Sequence, residues 1–197
     1  MSVGTRHAEA AGTRAHLLAV GRRLFAERGF AGTSTEEIVQ QAGVTRGALY
    51  YHFRNKQDLF RAVLAEVEED VHQRLAAVAM AEAEPWDGLV AASTAFLDAC
   101  LDPAVRRIAL IDAPSVLGWD AWREIGSQHR FGLFATGLQW AIVAGQIDDV
   151  ATAPMAHVLI GALNEGALFI AGAADRAGAR DEVGAIITRL LAGLKRS

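Results

Sequence analysis

The apolar positions of this chain recur at intervals of three and four, and they nowhere alternate with period two over the length of a strand. Leu17, Val20, Leu24 and Phe25 fall on one face of a helix predicted from about Thr13 to Arg28, with Gly29 just past its end. The small and polar residues 1–12 are expected to precede it as a flexible segment. "STEE" at 34–37 reads as a capping box, in which Ser34 accepts from the Glu37 amide while the Glu37 side chain reaches back. The second helix then runs to about Ala42, with Ile38 and Ala42 inward. Gly43 and Val44 make a turn, and Thr45 caps a short third helix that sends Leu49 and Phe53 into the core. Asn55 caps a long fourth helix to about Met80, with Asp58 favourably placed in its first turn. After the break "EAEPWDG", helices are predicted at about 86–101, 103–116, 119–144, 152–174 and 181–195. The pattern is therefore all-α with about nine helices. A three-helix module at 1–60 precedes a larger helical domain at 61–197, and the boundary lies inside the fourth helix.

Composition supports a packed chain: of 197 residues, 52% are apolar and 4 are proline. A single cysteine, Cys100, excludes an intramolecular disulfide and any multi-cysteine zinc site, which fits a reducing cytoplasm. No charged segment followed by an apolar run opens the chain, so no secretory signal is expected. The longest apolar run, 153–174, carries His157, Asn164 and Glu165 in its middle, which predicts a buried helix and no membrane span. The net charge of −4 hides an asymmetry: residues 1–60 hold 8 basic and 5 acidic side chains, and the remainder holds 11 and 18. The amino-terminal end is the one suited to a polyanion.

Two short helices joined through Ala-Gly-Val, the second opening on threonine, describe a helix-turn-helix. The second helix of such a pair enters the major groove with its N-terminal residues toward the bases. Arg46 has the fork that matches guanine O6 and N7. Gly47 and Ala48 carry almost no side chain and permit close approach. Tyr50, Tyr51, His52 and Lys56 are donors of the kind that pin a phosphate backbone. Tyr50 has a second reading as a packing residue, and His52 as a helix cap. Arg22, Arg23 and Arg28 read as solvated charges. Arg6 and Arg14 read as a disordered tail or a minor-groove arm.

The stretch 17–60, "LLAVGRRLFAERGFAGTSTEEIVQQAGVTRGALYYHFRNKQDLF", resembles the DNA-binding domain of the TetR/AcrR family of transcriptional regulators. The resemblance implies base contacts at Arg46, Gly47, Ala48 and Tyr50. It implies phosphate contacts at Ser34, Thr35, Thr45, Tyr51, His52 and Lys56. Glu36 departs from relatives with a basic residue at that point, and an acid there repels phosphate.

The carboxy-terminal part holds the candidates for a ligand site. Trp122, Ile125, His129, Leu133, Thr136, Trp140 and Val143 form a helical stripe that is apolar except at His129 and Thr136. Such a stripe suits either a ligand pocket or a core with one satisfied histidine. Asp112 interrupts an apolar run and is expected to pair with Arg123 or His129, or to meet a ligand. The candidate pocket comprises Phe96, Cys100, Asp112, Trp122, His129, Leu133, Thr136, Trp140, Asn164 and Phe169. The last two helices are apolar on more than one face. Met155, Leu159, Ala162, Gly166 and Phe169 form one stripe of the first, His157, Gly161, Asn164 and Leu168 another, and Val183, Ile186, Ile187, Leu190 and Leu194 belong to the second. A helix with two buried faces needs two partners, so a homodimer through the last two helices is expected. Small residues at Gly161, Gly166 and Gly172 favour close approach, and the resemblance implies the same dimer.

No G-x-S-x-G, G-x-x-x-x-G-K or G-x-G-x-x-G motif occurs, and the 6 histidines include no i, i+4 pair. Neither catalysis, nor a metal, nor a cofactor is expected. The expected function is a homodimeric repressor that a small, unidentified effector releases from a palindromic double-stranded DNA operator. The alternatives are an activator and a ligand-independent DNA-binding regulator.

Overall fold

The structure is a computed structural model that describes residues 3–196, with side chains from Ala10 onward. Among the described residues the fold is all-α. Nine helices follow one another: α1 Val3–Arg28, α2 Thr35–Ala42, α3 Arg46–His52, α4 Lys56–Ala81, α5 Pro85–Ala99, α6 Pro103–Leu117, α7 Trp119–Val143, α8 Thr152–Gly172 and α9 Arg176–Ala192. α1 begins about ten residues before the predicted start at Thr13, so 3–12 continue the helix. The expectation for Met1 and Ser2, and for the side chain of Arg6, lies outside the described residues. α9 also begins early, because Asp175 rather than a later residue caps it, accepting from the Gly178 amide at 3.0 Å.

The amino-terminal module is built by caps and one aromatic cluster. Gly29 and Gly43 take positive φ, 74° and 61°, where the chain reverses after α1 and α2. Ser34, Thr45 and Asn55 each accept from the amide three residues on. The reciprocal half of the predicted capping box does not form. Glu37 instead pairs with Arg28, a stronger partner than a backbone amide. Phe25, Phe30 and Phe60 meet with ring centres 5.1 to 6.0 Å apart and tie α1, the following turn and α4 together.

α4 carries the chain without a break into the larger part. α5 packs along it, and Gly88 lets the two backbones close: an added Cβ would stand 2.7 Å from the Ala79 carbonyl. α6 leaves α5 at 75° after Asp102 caps it. Its middle, Arg106–Asp112, is π-helical, a wide turn that periodicity does not announce. α7 and α8 complete the bundle over α4 and α5. α8 is long and apolar enough to cross a membrane by length and composition alone. In the fold, Ala156, Leu159, Ile160, Leu163, Ala167 and Ile170 bury one side of it in the core. Gly166 serves contact within the chain, since an added Cβ would meet Val183 of α9 at 2.7 Å, whereas Gly161 and Gly172 face open space. The α7–α8 connection is pinned to the end of the chain by Asp148 N–H to the Leu194 carbonyl and Arg196 N–H to that of Gln146.

A charged pair lies inside the bundle. Glu68 of α4 and Arg130 of α7 are 3% and 4% exposed and bond to each other. Arg130 also donates to Asn164 Oδ1 of α8 at 3.2 Å and lies 4.8 Å from the Phe96 ring centre. Pairing and added hydrogen bonds are what make a buried guanidinium tolerable.

Candidate nucleic-acid interface

α3 has an inner and an outer side. Leu49 is fully buried, and Phe53 just beyond the helix is nearly so. That fixes the rotation of the helix and turns Arg46, Gly47, Tyr50 and Tyr51 outward. Tyr51 is 79% exposed and Tyr50 43%, so the packing role for Tyr50 is partial. An added Cβ on Gly47 would meet only the Thr45 hydroxyl, at 3.8 Å. Nothing within the chain therefore requires glycine there, and Ala48 beside it is half-buried. The outer surface at the start of α3 is bare and flat next to a guanidinium.

Arg46 is not isolated. Its Nη1 stands 3.2 Å from Glu36 Oε1 of α2, and its guanidinium lies 5.7 Å from the Tyr50 ring centre. Thr35 donates its hydroxyl to Glu36 Oε2 at 3.2 Å. The Glu36 carboxyl is held below its ordinary range, first by its own backbone amide, then by Thr35, and last by Arg46. Ser34 and Thr45 spend their hydroxyl oxygens on capping but keep O–H donors that face outward from two helix starts. His52 stacks edge-on against Tyr51, with ring centres 5.0 Å apart.

Lys56, expected at a phosphate, also has partners within the chain. It donates to the carbonyls of Phe30 and Thr33, each at 2.8 Å, and lies 4.1 Å from the Phe30 ring centre. Burial pushes its pKa down. An ammonium has three donors, so one N–H remains. The arginines read as solvated charges have partners: Arg22 with Asp70 at 2.5 Å, Arg23 with Glu27 and Gln41, and Arg28 with Glu37. Arg14 lies 5.3 Å from the Phe53 ring centre, on the module itself.

The candidate ligand residues separate into several places. Leu133, Thr136 and Trp140 line a cavity of about 310 Å³ between α4, α5 and α7, together with Ala76, Ala79, Met80, Gly88, Leu89, Ala92 and Gly132. Phe96, Cys100 and Asn164 surround the buried Arg130, with Cys100 Sγ donating to the Phe96 carbonyl. His129 pairs with Glu69 at 3.1 Å. Trp122 donates to the Ala109 carbonyl at 2.6 Å, and Phe169 is 60% exposed. Asp112 pairs with neither Arg123 nor His129. It accepts from the Phe30 amide at 2.6 Å and from Arg107, so it faces the amino-terminal module. The alanines and glycines that floor the cavity carry no polar signal. Only their facing positions on three helices give it away.

Two family profiles match the chain: "Bacterial regulatory proteins, tetR family" over residues 17–63, and "Tetracyclin repressor-like, C-terminal domain" over 86–194. The HTH-type transcriptional regulator AcrR of Shigella flexneri is 48% identical over 63 residues, 32% of this chain and 29% of that protein. The HTH-type transcriptional repressor BepR of Brucella suis is 46% identical over 57 residues, 29% of this chain and 27% of that protein. The chain thus spans under a third of the length of these relatives. Over nearly its whole length it resembles a solved TetR-family transcriptional regulator from Pectobacterium atrosepticum, at 33% identity and a TM-score of 0.87, covering 96% of this chain and 97% of that one. Regulators of this kind are DNA-binding proteins and not enzymes. An exposed helix-turn-helix, the second profile over more than half the chain and this full-length likeness agree: the chain belongs to the TetR family of bacterial transcriptional regulators.

Proposed function

We propose that the chain acts in the cytoplasm as a homodimeric repressor that leaves a palindromic DNA operator when a small ligand enters its carboxy-terminal domain. The observation that carries this reading is α3: its core side is locked by Leu49 and Phe53, and its outer side offers Arg46, Tyr50 and Tyr51 beside two bare positions. Arg46, Gly47, Ala48 and Tyr50 face the bases. Ser34, Thr45, Tyr51, His52, the helix-start amide of Thr35 and the remaining N–H of Lys56 face phosphates. The module ends near residue 60, and α4 joins it to the regulatory domain 61–197.

Dimerisation is supported by Val158 and Phe169 on α8 and by Ile186 and Leu190 on α9, each more than half exposed. Val158 and Phe169 are eleven residues apart, three turns on one side of the helix. Two copies joined there present two α3 helices to half-sites about 34–36 Å apart, or a multiple of that. The ligand site is the cavity of α4, α5 and α7. The Thr136 hydroxyl and the Trp140 indole N–H are its polar side-chain groups and no charged group lines it, so its ligand is a neutral, largely apolar molecule.

The test is selection of binding sites from random duplexes by the wild type beside Arg46→Ala. A palindrome from the wild type and relaxation of one symmetric pair of positions in the variant support the reading. Failure to enrich any site removes it. In the same assay a Gly132→Leu variant, which fills open space in the cavity, is expected to keep the operator and lose the response to ligand.

A further inference from the structure

Glu36 is the one acid beside the groove-facing guanidinium. It is 63% exposed, Arg46 is equally so, and 3.2 Å separates them. An exposed ion pair of this kind contributes little to stability, so its use lies elsewhere. A carboxylate this close to a base-reading arginine travels with it to the floor of the major groove. There it loses water and requires a donor, because an unpaired acceptor is costly to desolvate. The base edges of that groove offer few donors: the N4 amino group of cytosine and the N6 amino group of adenine. Guanine O6 and N7 are acceptors and suit Arg46, and guanine's own partner is cytosine, whose N4 lies next to guanine O6 in the same base pair.

We propose that Glu36 and Arg46 form a joint reader of one G·C pair in each half-site, Arg46 taking guanine and Glu36 accepting from the cytosine N4 amino group. The ion pair persists across the two contacts. Arg46 has five N–H donors and meets Glu36 as an ion pair at 3.2 Å, which leaves the fork for guanine. Glu36 Oε2 is steadied by the Thr35 hydroxyl, and Oε1 keeps a lone pair for the amino group. Thr35 holds the carboxylate and Tyr50 supports the guanidinium, so both readers arrive already oriented. The same negative charge weakens binding to DNA of the wrong sequence, where the carboxylate meets acceptors or phosphate. Glu36 thus sharpens selection by penalising mismatches as well as by contacting the right base.

This inference rests on the reading of α3 as the recognition helix, and the experiment separates the two. Site selection and binding titrations are run with the full-length wild type, Glu36→Ala and Glu36→Gln, on the selected operator, on duplexes changed at the pair under Arg46, and on unrelated duplex. The wild type is expected to require G·C at one symmetric pair of positions. Glu36→Ala is expected to reduce discrimination there by about 5- to 150-fold, the range of one base contact, while binding unrelated duplex more tightly than the wild type. Glu36→Gln keeps an acceptor without the charge. It is expected to gain affinity for unrelated duplex while retaining part of the cytosine preference. If Glu36→Ala tightens binding evenly across all duplexes with base preference unchanged, Glu36 is only a screening charge and the proposal fails, while the recognition role of α3 stands. If the wild type enriches no site, the recognition reading itself fails.

Discussion

At the scale of single residues, Lys56 shows how a side chain drawn toward DNA by sequence reasoning is held by its own chain. Its two carbonyl partners close the α1–α2 turn onto the start of α4. Hydrogen bonds to charged groups contribute about 1.5–3 kcal/mol, so Lys56→Met is expected to destabilise the protein by about that much in urea titration. If the remaining N–H also meets a phosphate, the slope of log affinity against log salt falls by about one. An unchanged slope with the stability loss assigns Lys56 wholly to the scaffold. Cys100 gives a pH test. Burial pushes its thiol from an ordinary 9 up to about 12. The folded state then favours the protonated thiol, so this contribution to stability is full below pH 9 and is lost between pH 9 and 12, where only unfolded chains ionise. Native Cys100 is expected to resist alkylation up to about pH 10 and to react once the chain is unfolded. The caps at Ser34, Thr45 and Asn55 were legible because each spans three residues. The Glu36–Arg46 pair was not, because it crosses a turn and joins two helices.

Among elements, the least legible was α6. Nothing in "RRIALID" announces a π-helix. The partner of Asp112, the Phe30 amide, lies 82 residues away in the chain. Periodicity fixes which side of a helix is apolar, but a lone acid on that side finds its partner only through tertiary packing. Gln57 adds a second link of the same kind, donating to the Val116 carbonyl at 2.8 Å. α6 therefore holds the amino-terminal module at two points, about one turn apart. The contact of α4 with α7 depends on the buried Glu68–Arg130 pair. Arg130→Met leaves Glu68 as an uncompensated buried charge, and a loss of about 3–5 kcal/mol in urea unfolding is expected. The double change Glu68→Leu with Arg130→Met is expected to recover most of it, because two apolar side chains of similar size remove the buried charge altogether. A double variant no more stable than the single one places the loss in the contacts of Arg130 to Phe96 and Asn164.

At the scale of the whole molecule, charge and apolar surface are divided between the ends. The module that carries α3 is net positive and the rest of the chain net negative, which orients approach to DNA. The exposed side chains of α8 and α9 belong to the far part. Leu190→Glu, on the exposed side of α9, is expected to yield monomers in sedimentation while leaving helix content unchanged. Operator affinity then falls steeply, because one subunit engages only one half-site. A dimer that survives both Leu190→Glu and Ile186→Glu moves the interface elsewhere. One further consequence concerns α4, a rod of 26 residues, about 39 Å long. Its last turns line the cavity, its first turn carries Lys56, and Glu68 and Glu69 tie its middle to α7. If a ligand in the cavity turned α4 about this cross-tie, the arms of about 18 and 20 Å would make the mechanical gain close to one. On the proposed ligand-release reading, a displacement imposed at the cavity end would emerge at the other at nearly the same size and in the opposite sense. A bulky ligand is then effective in proportion to how far it wedges the cavity, and a change at the pivot alters the transmission ratio without touching either binding surface.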